Sequence, residues 1–229
     1  MKNIVEIQGR ECIYKGKTLK SKDELELIKI LNKNLEIIII GEPLLIKIYD
    51  FNKDDKNLEE FIEENLEKEF LVNSDMLFHY EYFKKNNLVY IYSIKRGLTV
   101  EKLSKDAKKL KVIPIQFLIK DLINRKFKKY KDIISITKFR DIYYLTSIKN
   151  KMIVDCDILD INKDINDILV SYGSNNLIVL DDDIKEKIDT SKFKLINFLK
   201  IGEIIDERIY KKQRLYTKEF FKKERRKVN

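Results

Sequence analysis

Few side chains in the sequence are suited to chemistry, and they lie far apart. His79 is the only histidine, and no second histidine or C-x-x-C pair accompanies it as a partner for a metal ion or for acid–base catalysis. Asp155 and Asp157 alternate on one face of a predicted strand, a spacing that two metal-binding carboxylates could use. The motifs G-x-x-x-x-G-K-[ST], G-x-G-x-x-G and G-x-S-x-G are absent. We therefore predict no enzymatic activity, no cofactor and no metal site, and we expect His79 to be a half-exposed strand residue.

The remaining reactive groups and the apolar runs indicate a folded protein without a membrane span of its own. Cys12 and Cys156 lie in strand-like stretches, so we expect buried, unpaired thiols in a reducing cytoplasm. The longest apolar run, LEIIIIG at 35–41, is far shorter than the roughly 18 to 20 residues of a transmembrane helix and predicts a buried strand. The N-terminus shows no extended apolar segment typical of a signal peptide.

Positive charge is concentrated at the C-terminal end. The 229 residues carry 47 Lys and Arg against 38 Asp and Glu, and 10 of these basic and 2 of these acidic residues lie in 208–229. Residues 1–207 therefore balance at 37 against 36. Because a globular nucleic-acid-binding protein is expected to spread positive charge over a folded face, the balance disfavours nucleic acid as a partner of the body. The basic residues of the tail are Arg208, Lys211, Lys212, Arg214, Lys218, Lys222, Lys223, Arg225, Arg226 and Lys227.

Strands and helices alternate in both halves of the chain. In the first half, strands at 35–41 and 44–50 precede an amphipathic helix at 57–70 and a hairpin over 76–95. A capping box at Ser21 and Glu24 predicts an earlier helix. The first half then ends with a helix from about Val100 to Leu110, a strand over VIPIQ and a helix from Phe117 to about Phe127.

The second half begins with three closely spaced strands at 132–138, 141–148 and 151–159, which predict a meander. A helix near 163–170 and a strand at 176–180 follow. This pattern predicts an α/β protein with two lobes and mixed sheets. We place the first lobe at 1–128 and the second lobe at 129–194.

Four stretches follow one another in a distinctive order: LEIIIIGEPLLIKIYDF, the acidic helix LEEFIEENLEKEF, the hairpin DMLFHYEYFKKNNLVYIYSIKRG, and KVIPIQ. That order resembles the actin-like assembly proteins of bacterial type IV pilus and type II secretion machines, the PilM-type protein and the cytoplasmic domain of the GspL-type protein. The resemblance implies a two-lobed actin-like (ribonuclease H-like) fold, reduced relative to full actin-like ATPases. It also implies a non-catalytic scaffold that couples an assembly ATPase to inner-membrane components, and we expect that the scaffold self-associates.

The chain departs from the family at the positions that hold Mg-nucleotide in actin-like ATPases. Those proteins carry a D-x-G turn in the first hairpin of each lobe, whereas this chain has Glu6-Ile7-Gln8-Gly9 and Ser135-Ile136-Thr137. The later glycine pair that accommodates the nucleotide is reduced to Gly173. Because no acid stands two residues before a glycine, a triphosphate would lack a protein-held metal ion. We predict no ATP hydrolysis and no ATP binding.

A second resemblance concerns Ile196-Asn197-Phe198-Leu199. In the pilus system a separate membrane protein carries a similar Ile-Asn-Leu-Leu-type peptide ahead of its transmembrane helix, and that peptide docks on the actin-like protein. The resemblance implies that 195–207 is a docked juxtamembrane segment, with apolar side chains in pockets and the Asn197 amide paired with backbone groups. The alternative is an ordinary last strand or turn of the core.

A docked juxtamembrane segment would explain the basic tail at 208–229. Positive clusters gather on the cytoplasmic side of transmembrane helices, and anionic lipid attracts each nearby Lys or Arg by roughly 1 kcal/mol. Ile209, Leu215 and Tyr216 would then form part of an apolar stripe toward lipid or protein. We expect a soluble piece of a membrane-anchored protein at the cytoplasmic face of the bacterial membrane, with a span after Asn229. The alternatives are a nucleic-acid-binding arm and a solvated helix without a partner.

Overall fold

A computed structural model describes residues 3–19, 34–52, 57–70, 75–160, 165–173 and 176–209 of the protein. The helix predicted to begin at Ser21 lies outside the described residues. Of the basic tail, only Arg208 and Ile209 are described; Lys211, Lys212, Arg214, Lys218, Lys222, Lys223, Arg225, Arg226 and Lys227 lie outside.

The described residues of the first part of the chain form eight strands and three helices. In chain order they are β1 (Asn3–Gln8), β2 (Glu11–Tyr14), β3 (Lys17–Leu19), β4 (Asn34–Ile40), β5 (Leu45–Asp50), α1 (Leu58–Glu69), β6 (Met76–Phe83), β7 (Leu88–Lys95), α2 (Gly97–Ser104), β8 (Lys109–Pro114) and α3 (Ile115–Lys126).

Among the residues described in the second part there are five further strands and two α-helices. These are β9 (Asp132–Phe139), β10 (Ile142–Lys149), β11 (Met152–Leu159), α4 (Ile165–Ser171), β12 (Leu177–Leu180), the 3-10 helices Asp182–Lys187 and Thr190–Lys192, β13 (Ile196–Phe198) and the helix 201–209, here α5.

Three mixed or antiparallel sheets result. The first sheet has the order β3-β2-β1-β4-β8, and the second has the order β11-β10-β9-β12-β13. In the first sheet the hairpin is extended by β4, which pairs in parallel with β1. In the second sheet the meander is extended by β12, which pairs in parallel with β9. A third, antiparallel sheet β5-β7-β6 packs against the first through Tyr90, Tyr92 and Ile94. The predicted meander and hairpin are confirmed.

One boundary prediction is wrong. The helix expected from Val100 to Leu110 begins at Gly97 and ends at Ser104, and β8 already begins at Lys109. The stretch LSKDAKKLKV spaces its apolar residues in a way that suits either a helix or an edge strand. The end of the stretch forms a strand because β8 pairs with β4 over Asn34 to Ile39, and hydrogen bonding to a neighbouring strand overrides the local helix propensity.

Helices α3 and α5 join the two five-stranded sheets into one body. Each presents isoleucines four residues apart, so that the side chains share one face. These isoleucines pack in a single core with Ile4 and Ile38 of the first sheet and Ile133 and Tyr144 of the second. They are Ile115, Ile119 and Ile123 in α3 and Ile201, Ile205 and Ile209 in α5.

Candidate functional site

Three elements meet where the first sheet faces the second: the end of β1, the β9–β10 turn and helix α5. They bring together Glu6, Arg140 and Asp206, which we call the cleft ion cluster. The Arg140 Nη2 atom lies 2.7 Å from Glu6 Oε2 and 3.2 Å from Asp206 Oδ1. The Glu6 side chain is only 4% exposed, whereas Arg140 is 25% exposed. One guanidinium therefore binds a carboxylate from each side of the cleft.

The backbone conformation at Arg140 is unusual for a residue other than glycine. Phe139 pairs with Ile142, so Arg140 and Asp141 form a two-residue hairpin turn. Arg140 has φ = 56°, the left-handed region that favours glycine. Holding a non-glycine residue there costs on the order of 1 to 3 kcal/mol. The ion pairs with Glu6 and Asp206 offset that strain.

Burial and charge act in opposite directions on the two carboxylates. Burial raises the pKa of Glu6 above its ordinary value of 4.5, while the hydrogen bond and the charge of Arg140 lower it in part. Burial likewise raises the pKa of Asp206, and Arg140 again opposes the shift. Because Glu6, Arg140 and Asp206 come from different elements, their ion pairs link β1, the β9–β10 turn and α5.

Helix α5 sits very close to β9. A Cβ atom at Gly202 would lie 1.9 Å from the Lys138 carbonyl oxygen, so only glycine allows this approach. Beside it, Lys138 Nζ lies 2.8 Å from Asp183 Oδ2, and the buried Asp181 carboxylate accepts a hydrogen bond from the Lys138 N–H at 3.2 Å. The hydrogen bond to Lys138 lowers the pKa of Asp183. A cavity of about 270 Å³ remains between these groups and Arg140.

The residues of the cleft do not fit a magnesium–nucleotide group. The acid of the first hairpin, Glu6, is buried and bound to Arg140, and β9 presents only the buried hydroxyls of Ser135 and Thr137. The cavity is smaller than the roughly 300 to 1,000 Å³ of most ligand pockets. Gly173, the remnant of the family's glycine pair, lines a separate cavity with Tyr172. The glycine that lines the cleft is Gly202.

Neutral hydrogen bonds add to the closure of the cleft. The Gly41 N–H donates to the Tyr144 hydroxyl at 2.8 Å. The Gln116 amide donates to the Glu42 carbonyl at 2.7 Å, and the Tyr92 hydroxyl donates to the Ile153 carbonyl at 3.2 Å. Since each bond joins parts of the chain more than 60 residues apart, the sheets and α3 form a rigid unit.

The predicted docking segment forms β13, the edge strand of the second sheet. Ile196 and Phe198 pack with the core beneath that sheet, and Leu199 packs against the core shared by α3 and α5. Main-chain bonds hold the strand, since the Leu199 N–H donates to the Leu180 carbonyl at 2.8 Å. The Asn197 side chain is exposed, and within the described residues its amide makes no hydrogen bond.

The beginning of the basic tail belongs to a packed helix. Ile209 is 5% exposed and lies in the core formed by α3 and α5, so it does not face lipid. Arg208 is half-buried and lines a cavity of about 170 Å³ with Arg125 and Glu36. No helix among the described residues is long and apolar enough to cross a membrane.

The remaining residues whose side chains could take part in chemistry are His79, Asp155 and Asp157. His79 lies on β6, where its ring stacks on Tyr92 at 6.1 Å. The residue is exposed overall, and the partial burial of its ring lowers its pKa. Asp155 and Asp157 are exposed on β11, and Asp155 accepts a hydrogen bond from Tyr172. In the part of the chain that the structure describes, no three His, Cys, Asp or Glu side chains could hold a metal ion.

Neither cysteine forms a disulfide, as predicted. Cys12 is buried, and Cys156 is half-buried. Burial raises the pKa of the Cys156 thiol to about 12, so the reactive thiolate is scarce at neutral pH.

The strand order and the cleft can be compared with known proteins. No family model matches the sequence, and no curated protein matches it significantly. Among solved structures, a chain of the PilM–PilN type IV pilus biogenesis complex superposes with a TM-score of 0.51 at 10% identity, covering 88% of this chain and 89% of that one. The fold is actin-like.

Two further structures are similar to this actin-like chain. One is a protein with an actin-like ATPase fold and unknown function from Bacteroides thetaiotaomicron, at a TM-score of 0.48 and 9% identity over 86% of this chain and 91% of that one. The other is the cytoplasmic domain of EpsL, an inner membrane component of the type II secretion system of Vibrio cholerae, at a TM-score of 0.46 and 10% identity, covering 78% and 80%. The predicted α/β actin-like architecture with mixed sheets is confirmed, and identities near 10% show likeness of fold alone.

Proposed function

We propose that the protein is a non-catalytic cytoplasmic scaffold of a type IV pilus or type II secretion inner-membrane assembly platform. The cleft ion cluster is the observation that carries this proposal. In an actin-like body, Arg140 holds Glu6 and Asp206 across the space between the sheets. A body closed by fixed charges transmits force between partners instead of opening around a substrate.

The energetic argument rests on burial. Each fully buried isoleucine contributes about 1.5 to 3 kcal/mol relative to an exposed one, a large share of the roughly 5 to 15 kcal/mol that stabilises a whole domain. Separating the sheets would expose Glu6 and the isoleucines of α3 and α5 together. The lobes of 1–128 and 129–194 are therefore proposed to act as one rigid adaptor, without ATP hydrolysis.

The proposed partners are those of an assembly platform. They are an assembly ATPase, other inner-membrane pilus or secretion components, a second copy of the chain, and the membrane surface through the tail at 208–229. The likeness to the PilM–PilN complex structure supports the second of these, the other pilus or secretion components. Nucleic acid is not an expected partner of the body.

Residues 195–207 are proposed to be the docked segment of this scaffold. The three-residue strand β13 pairs in parallel with β12 at the sheet edge, and its half-buried Ile196 and Phe198 rest on the core. This arrangement has the features of strand addition, in which main-chain bonds give affinity and alternate side chains fill pockets.

The test is capture of partners from native membranes. The full chain, immobilised, is incubated with detergent-solubilised membranes, and bound proteins are identified by mass spectrometry against an unrelated bait of the same net charge. The proposal predicts that an assembly ATPase and pilus or secretion components are enriched. Enrichment of RNA-binding proteins and nucleic acid, with no assembly protein, would contradict it.

A further inference from the structure

Residues 1–207 are nearly neutral overall, but their described part includes a group of closely spaced positive charges. Segments 125–132 and 149–151 contain seven basic residues and one acid, Asp132. The rest of residues 1–207 then holds 30 basic against 35 acidic side chains. We call the seven basic residues the basic end; they are Arg125, Lys126, Lys128, Lys129, Lys131, Lys149 and Lys151.

The fold brings the two segments together at one end of the second sheet. The Asn150 N–H donates to the Lys131 carbonyl at 2.8 Å, and the Asn124 amide donates to the Lys151 carbonyl at 2.9 Å. Lys149 stands opposite Asp132 in the β9–β10 ladder. The connection from α3 to β9 and the β10–β11 turn are therefore adjacent, and their charges form one surface.

These charges point into solvent. All seven side chains belong to exposed residues, and within the described residues none of the six lysines forms an ion pair. Beside them the ring of Tyr130 is 40% exposed. Two of the cations, Arg125 and Lys126, complement the C-terminus of α3, which leaves five without a role in holding the fold.

The backbone of the β10–β11 turn adds an independent observation. Asn150 has φ = 50° and Lys151 has φ = 73°, as in the type I′ turns that favour glycine at the second central residue. A lysine at that position is strained and places its ammonium group at the tip of the turn. Strained backbone clusters at functional sites, and among the described residues no contact engages the Lys151 ammonium group.

The basic end also adjoins the start of the tail. Arg125 in the last turn of α3 and Arg208 and Ile209 in α5 line the same cavity, together with Glu36 and Asp121. The body therefore presents the basic end next to the point at which residues 210–229, with a further 9 basic and 2 acidic residues, leave the described part of the chain.

We propose that the basic end is a membrane-binding surface that recognises anionic lipid headgroups and acts together with the tail. This inference rests on the proposed function and assigns a face of the body to the membrane. Six of the seven cations are lysines, which act as hydrated point charges, whereas arginine is the residue favoured for bidentate recognition of nucleic-acid phosphates. A single exposed tyrosine suits the lipid interface better than it suits a series of stacked bases.

Vesicle binding by the full chain tests the proposal. Vesicles of phosphatidylcholine mixed with phosphatidylglycerol are compared with phosphatidylcholine alone, and binding is measured by flotation. The patch variant carries Lys128→Gln, Lys129→Gln and Lys131→Gln. The control variant, Lys84→Gln, Lys85→Gln and Lys95→Gln, removes the same charge from other exposed positions. A tail variant carries Lys222→Gln, Lys223→Gln, Arg225→Gln and Arg226→Gln.

The wild type is expected to bind only the anionic vesicles. The patch variant should bind them at least about tenfold more weakly, since each lysine near an anionic surface contributes on the order of 1 kcal/mol. The control should lose less than about twofold, because charges farther away than the Debye length are screened. Circular dichroism should show unchanged thermal midpoints, since all six positions are exposed.

Each other outcome overturns the proposal in an identifiable way. If the patch variant binds like the wild type while the tail variant loses binding, the tail alone contacts lipid and the proposed function survives. If the wild type binds no anionic vesicle, the membrane part of the proposed function fails as well. If the wild type ignores vesicles but binds a labelled oligonucleotide, and the patch variant does not, the surface belongs to nucleic acid.

Discussion

The two turns that flank β10 hold their basic residues in the same backbone region and use them differently. Arg140 precedes the strand and Lys151 follows it, with φ values of 56° and 73°. The Arg140 guanidinium lies between two partly or fully buried carboxylates. The Lys151 side chain is exposed and pairs with no carboxylate among the described residues.

The two turns differ in whether the charged side chain has a partner within the body. At Arg140 the contacts with Glu6 and Asp206 are internal, so the turn fastens the two sheets of the body together. At Lys151 the Asn124 amide binds the backbone carbonyl, but no contact among the described residues engages the ammonium group, so its charge is available to a partner outside the chain. The second sheet thus carries an inward-facing charge at one end and outward-facing charges at the other.

Removing the inward-facing charge should have the largest effect. Arg140→Ala leaves Glu6 buried without a partner, and we expect a loss of about 3 kcal/mol or more in the free energy of unfolding at neutral pH. Urea denaturation followed by circular dichroism measures it. The control is Lys138→Ala, which breaks the exposed pair with Asp183 and should cost less than about 1 kcal/mol. Equal losses in the two variants would contradict the assignment.

The same variant has a defined pH dependence. The pKa of Glu6 in the folded protein already lies above its ordinary value of 4.5, and loss of Arg140 should raise it further. A carboxyl group with a raised folded pKa favours folding less as pH rises from its unfolded pKa to its folded pKa. The deficit of Arg140→Ala should therefore be small near pH 4.5 and grow toward neutral pH. A deficit independent of pH would show that Glu6 is not the group left uncompensated.

A second variant tests how closely α5 must approach the β9–β10 turn. Gly202→Ala would normally stabilise a helix by up to about 1 kcal/mol, but here the new methyl group meets the Lys138 carbonyl. We expect a loss of about 1 to 3 kcal/mol, as for overpacking. Glu203→Ala on the exposed side of α5 should change stability by less than about 0.5 kcal/mol. A stabilised Gly202→Ala protein would show that the helix does not need this contact.

The outward-facing turn should respond with the opposite sign. Lys151→Gly relieves the left-handed backbone at some cost in unfolded-chain entropy, so we expect a gain of about 0.5 kcal/mol in the free energy of unfolding, the balance of these two effects. Binding to anionic vesicles should fall at the same time. Lys151→Asn, which also tolerates positive φ, should reproduce both effects. Loss of stability in both variants would mean that the lysine has a structural role.

The sequence predicts the elements of the fold better than the residues of the cleft. The isoleucine run of β4 and the alternation in β6 and β7 identify buried and half-buried strands directly. Glu6 and Arg140, by contrast, lie 134 residues apart, and no local pattern connects them. Gly202 is one of only six glycines, but the helix in which it lies, α5, is not among the elements predicted from the sequence.

The basic end could not be predicted from the net charge for a related reason. A balance of 37 against 36 over residues 1–207 suggested that positive charge belongs to the tail alone, and the structure corrects this. Lys131 and Lys149 become neighbours only because β9 and β10 pair with their ends in register. A net charge cannot show how a sheet distributes the charges.

Calorimetric titration of the full chain with magnesium and ATP tests the account most directly. Because Arg140 binds Glu6 and Lys138 binds Asp183, and no three acidic side chains among the described residues could hold a metal ion, the account predicts no saturable heat from the wild-type protein. A one-to-one complex that Arg140→Ala weakens or abolishes would show instead that the cleft is a nucleotide site and that the protein is not an inert scaffold.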